Sequence, residues 1–105
     1  MFDRLAEIEQ KYMDLADQVN DPDIIANQSQ WRELMKEYSD MTPIVEAYRE
    51  YEKVKASIAE ELELLEDKLD DDFRELVKEE LAENKERLEE LQKELAELKD
   101  NFQAQ

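Results

Sequence analysis

The sequence predicts an all-α fold: an elongated antiparallel three-helix bundle, in effect a coiled-coil hairpin with a long central helix. Three observations predict it. The 105 residues contain no glycine and only two prolines, so sharp turns are few. Glu, Leu, Ala and Lys dominate, as in long helices. Apolar residues recur at alternating spacings of three and four, one stripe of a helix each time. The length suits one small domain, expected over residues 1–100, with helices at about 2–20, 28–67 and 72–100 and a frayed tail at 101–105.

The first helix carries Leu5, Ile8, Tyr12, Leu15 and Val19 on one stripe. At about 18 residues it spans roughly 27 Å. It stops at "NDPD", because Asp21 precedes Pro22 and is pushed out of the α region. Asp21 then caps a short turn that starts at Pro22, with Ile24 and Ile25 closing the bundle end. Asn27 or Ser29 caps the next helix.

That second helix carries Trp31, Leu34, Tyr38, Met41, Val45 and Tyr48. The apolar phase runs through Pro43 unbroken, which favours one long helix kinked there. The alternative makes Thr42 a cap and Pro43 the first residue of a new helix. After Tyr48 the stripe slips to Tyr51, Val54, Ile58, Leu62 and Leu65, the drift expected of 3.6 residues per turn.

"KLDDDFREL" marks the next boundary. Its three aspartates suit a helix N-terminus, and Asp72 with Glu75 has capping-box spacing. The third helix carries Phe73, Leu76, Val77, Leu81, Leu88, Leu91, Leu95, Leu98 and Phe102, interrupted by Asn84. Asn84 either fixes the register of a buried seam or sits at a wet edge. The short turn after Leu69 makes the second and third helices antiparallel neighbours, and the first helix packs along one part of that hairpin.

Composition excludes several function classes. Fourteen Lys and Arg face 31 Asp and Glu, a formal net charge of −17. Such a surface repels nucleic-acid phosphates and anionic lipid; a basic protein surface is the more natural partner, and the alternative is that the acidic helices serve solubility alone. With neither His nor Cys, the residue types of zinc sites, thiolates and common triads are missing, so no catalytic, cofactor or metal site is expected. A phosphate-cradling loop needs glycine, and there is none. Glu79, Glu80 and Glu83 read as a solvated helix face. Trp31, Tyr38, Tyr48 and Tyr51 sit at helical spacing and read mainly as core. Tyr48 and Tyr51 are the candidate partner contacts, one of them facing outward. No run of about 20 apolar residues exists to span a membrane, and "MFDRLAEIEQ" lacks the apolar run of a secretory signal. A cytoplasmic location fits the lack of cysteine.

"MFDRLAEIEQKY", "DPDIIANQSQWRELMKEYSD", "TPIVEAYREY" and "LDDDFRELVKEELAE" together resemble the N-terminal helical domain of bacterial peptide chain release factor 1, a class I translation release factor. The resemblance covers about the first 95 residues. It implies a part in translation termination at UAA and UAG codons, lying toward the ribosomal stalk base. The implied partners are stalk-base proteins and the factor's remaining domains. The family's hydrolytic Gly-Gly-Gln loop cannot lie in a chain without glycine, and its Pro-x-Thr codon-reading tripeptide is absent, since Pro22 leads "PDI" and Pro43 leads "PIV". The ending "AELKDNFQAQ" departs from the family's linker and suggests an excised domain rather than a truncated frame. Self-association of the isolated fragment stays open, as does the alternative of a stand-alone acidic coiled-coil adaptor or chaperone.

Overall fold

The computed structural model describes residues 3–104, with side chains over 4–102. Every element among them is a helix: α1 Asp3–Val19, α2 Pro22–Ala26, α3 Gln28–Leu64 and α4 Asp71–Ala104. The expected helix start at residue 2 and the last tail residue, 105, lie outside the described residues. The helices divide between two compact units, Met1–Glu46 with Leu98–Gln105, and Ala47–Glu97.

In the first unit α1 runs antiparallel to the start of α3. Lys11 meets Glu37 at 2.6 Å, and the Trp31 indole donates to the Val19 carbonyl at 3.1 Å. Leu5, Tyr12, Leu15, Met41, Ile44 and Val45 are buried, so the α1 stripe faces the core as its spacing requires. Tyr12 stacks on Tyr38, ring centroids 4.4 Å apart and planes 6° from parallel.

The chain lacks glycine, the usual left-handed helix cap, and no described residue has positive φ. It uses short i→i+3 bonds and side chains instead. The Asn20 side chain donates to the Ala16 carbonyl at 2.8 Å, closing α1. Asp21 accepts from the Asp23 amide at 2.9 Å, capping α2 at Pro22 as expected. Asn27 closes α2 and also caps α3, its side chain accepting from the Gln30 amide at 3.3 Å. Ile24 is half-buried, but Ile25 is half exposed and does not close the bundle end, because α2 is one turn long and presents only one face inward.

Pro43 lies inside the continuous helix α3. The Thr42 hydroxyl donates back to the Tyr38 carbonyl at 3.0 Å. It therefore belongs to the preceding turn and is not the cap of a new helix. Pro43 has no amide hydrogen for the Ser39 carbonyl, and both residues are exposed, so water reaches the gap.

In the second unit α3 and α4 run antiparallel. Glu50 pairs with Arg87, Glu61 with Asn84, and the Leu65 carbonyl with Arg74. Ala47, Tyr51, Val77, Leu81, Leu91 and Leu95 are buried. Three expectations need correction here. Leu62 is exposed and Glu61 takes the inward position, because the stripe does not keep slipping. Phe73 and Leu76 are exposed although both were expected on the apolar stripe; Val77 takes the inward position in that turn. The cap of α4 falls at residue 70 rather than Asp72: the Arg74 amide donates to the Asp70 carbonyl at 2.8 Å, leaving Asp71 and Asp72 in the first turn. At its far end α4 continues to Ala104, past the point where a tail was expected, and half-buried Phe102 extends the stripe.

Candidate functional site

No cluster of His, Cys, Asp and Glu among the described residues is placed to hold a metal ion. No helix among them is long and apolar enough to cross a membrane. Glu79, Glu80 and Glu83 are all exposed, as a solvated face requires.

The structure separates the two candidate tyrosines. Tyr51 is 8% exposed and packs in the second unit, with the Lys55 ammonium 5.9 Å from its ring centroid. It cannot present a broad outward anchor, because its position three residues after Tyr48 turns it into the α3–α4 seam. Tyr48 is half-buried.

The seam holds two polar pairs that the apolar spacing does not reveal. Asn84 Nδ2 donates to Glu61 Oε1 at 2.9 Å, and Glu61 is 7% exposed. Arg87 grips Glu50 through Nη2, at 3.0 Å to Oε1 and 2.5 Å to Oε2, and reaches Glu90 at 3.1 Å. The hydrogen bond to Glu50, then that to Glu90, pushes the Arg87 pKa further up. Asn84 was the one visible signal, a polar residue inside a leucine stripe.

Where the hairpin turns, Arg74 donates to the Leu65 carbonyl at 3.1 Å and the Asp67 carbonyl at 2.9 Å. A cation thus meets the carbonyl end of α3, where it is favoured. Near this turn lie Leu62, Leu64, Phe73 and Leu76, each between 39% and 52% exposed. Leu64 also lines two open clefts. One, of about 490 Å³, is bounded by Glu60, Glu63, Glu66 and Asp67. The other, of about 390 Å³, has Ser57, Glu60 and Glu61 on the α3 side and Glu80, Glu83 and Asn84 on the α4 side. Exposed apolar side chains thus lie beside acidic clefts in which Leu64 is the apolar member.

Comparison with known proteins gives one family. A model of the PCRF domain matches residues 8–101. Peptide chain release factor 1 of Caldicellulosiruptor saccharolyticus is 47% identical over 95 residues, 90% of this chain and 27% of that protein. The same-named protein of Alkaliphilus oremlandii is 46% identical over 96 residues, 90% of this chain and 27% of its own length. That of Listeria welshimeri is 45% identical over 102 residues, 97% and 26% respectively. The chain therefore spans about a quarter of the length of the curated relatives it matches. No solved structure matches it.

Proposed function

This chain belongs to the PCRF domain family, and we propose that it is the non-catalytic N-terminal module of a peptide chain release factor acting in translation termination at UAA and UAG codons. The observation that carries the reading is the match over residues 8–101, joined by close to half identity to release factor 1 proteins. The module works as residues 1–100 together, in the cytoplasm, and docks toward the ribosomal stalk base while the factor's other domains read the codon and hydrolyse the ester. Hydrolysis through Gly-Gly-Gln needs glycine, which this chain lacks, so the chemistry resides elsewhere in a full factor. A net charge of −17 supports a basic ribosomal protein as the contact and opposes direct binding to RNA. Of the two candidates, half-buried Tyr48 is the proposed aromatic contact, since Tyr51 is buried.

Weak docking is enough for such a module. Tethered to the core domains, it raises their effective concentration at the site without binding tightly alone. The test uses ribosomal termination complexes that carry labelled peptidyl-tRNA and a stop codon. Added alone, the chain should release no peptide above background. Stop-codon-dependent release by the chain alone would overturn the non-catalytic reading.

A further inference from the structure

We infer that the hairpin-turn face of α3 and α4, formed by Leu64, Phe73 and Leu76, is a docking surface for a basic protein segment that carries an apolar anchor. This rests on the ribosome-docking reading above and deepens it by adding a second contact surface, apart from Tyr48, and the partner's chemistry.

Four of the six large hydrophobic residues found exposed, Leu62, Leu64, Phe73 and Leu76, cluster at this turn. Three of them share a face. On α4, Phe73, Leu76, Glu80 and Glu83 are spaced three, four and three, one stripe of the helix. Glu80 and Glu83 of that stripe face Leu64 of α3 across one cleft. Phe73 and Leu76 continue the same wall toward the turn. Leu62, two positions from Leu64, points to the other side.

The rim decides the occupant. Residues 60–83 hold twelve Asp and Glu against Lys68, Arg74 and Lys78. Arg74 is engaged by backbone carbonyls, and Lys78 approaches Glu75 at 3.9 Å. Glu60, Glu63, Glu80 and Glu83 have no ion-pair partner among the described residues. A second copy of the chain would bring the same negative rim and be repelled, and so would RNA. A protein segment with lysines or arginines around one apolar side chain satisfies both the rim and the floor.

The chain has no cysteine, so one introduced thiol can be labelled cleanly. A benzophenone is attached at Glu80→Cys on the rim, or at the exposed Asp17→Cys of α1 as the control. Each labelled chain is photolysed with purified bacterial ribosomes, and the adducts are identified by mass spectrometry. The Glu80→Cys probe should join a basic ribosomal protein, and the Asp17→Cys probe should give far less of that adduct. Adding Phe73→Ser and Leu76→Ser should cut the Glu80→Cys yield about tenfold, the effect expected of lost anchor residues. Both residues are exposed, and circular dichroism verifies that the helices persist. Adducts to ribosomal RNA, or a yield indifferent to the two serines, overturn the inference. Adducts from Asp17→Cys alone keep ribosome docking but move it to another face. No adduct from either position overturns this inference, and failure of the chain to co-sediment with the ribosomes as well would overturn ribosome docking itself.

Discussion

The Tyr12 phenol lies 3.0 Å from the Thr42 hydroxyl, one residue before the proline inside α3. The direction of this bond follows from proton count. Thr42 has one hydroxyl proton and gives it to the Tyr38 carbonyl, so Tyr12 is the donor to Thr42. A side chain of α1 thus holds the turn of α3 in which Pro43 leaves a carbonyl without its amide.

Tyr12→Phe should therefore destabilise the fold by about 1 kcal/mol, the usual net value of one such bond. Thr42→Val should cost a similar amount, and the double variant less than the sum of the two, because the pair shares the interaction. Urea melts of the four proteins measure this. Full additivity would contradict the hydrogen-bonded pair.

Pro43→Ala should stabilise the chain, by up to about 3 kcal/mol, since the restored amide can donate to the Ser39 carbonyl in an already continuous helix. Pro43 also lines a shallow cleft with Ile44, Leu98 and Phe102, so lost ring contacts will offset part of the gain. A clear loss of stability would show that α3 needs the proline to start a second helical segment.

Leu91 and Leu95 are both 0% exposed, so Leu91→Ala and Leu95→Ala should each cost about 2–5 kcal/mol. Leu76→Ala, at 52% exposure, should stay within about 0.5 kcal/mol. Equal costs for the three would contradict the observed facing of α4.

Much of this burial was legible in the sequence, and the exceptions have physical causes. Leu5, Tyr12 and Leu15 follow a single unbroken period on a short helix, so spacing alone places them. Asp21 and Pro22 announce α2 because the cap and the proline each restrict the backbone locally. The continuity of α3 through Pro43 was read from an unbroken apolar phase. Ile44 and Ala47 escaped that reading because α3 buries a wider arc there than one stripe describes. Glu61 escaped it because a carboxylate faces inward only when a partner such as Asn84 meets it from another helix, which local spacing cannot show. Phe73 and Leu76 look like core by residue type, and only the tertiary pairing of Arg74 with the end of α3 reveals that they face out. The docking surface was illegible for the same reason: it is defined by what the hairpin leaves uncovered.

Glu61→Leu alone should destabilise, since it strips Asn84 of its acceptor in a half-buried seam, at a cost of about 1–3 kcal/mol. Glu61→Leu with Asn84→Leu should recover most of that loss, because two apolar groups then replace two polar ones. Thermal melts of the single and double variants decide it. A double variant less stable than the single would contradict a self-contained polar pair.

Arg87 gives a pH test whose sign is fixed. Its folded pKa is raised, mainly by the Glu50 hydrogen bond, so the stabilisation is complete below its unfolded value and is lost only as pH rises through the still higher folded one. The stability difference between the native chain and Arg87→Gln should thus stay flat between about pH 6 and 9, far below the arginine range. It should shrink with added salt, because both partners are partly exposed. A steady change with pH in that window would show that another titrating group controls the pair.

The most direct test of the proposed role is a graft. The N-terminal quarter of the Caldicellulosiruptor saccharolyticus release factor 1, the part this chain matches, is deleted, and in a second protein it is replaced by this chain. Rates of peptide release are then measured on ribosomes at a UAA codon under limiting factor. The deletion should slow release without abolishing it, and the graft should return the rate to that of the intact factor. A graft no faster than the deletion would contradict the account of this chain as a docking module of a release factor.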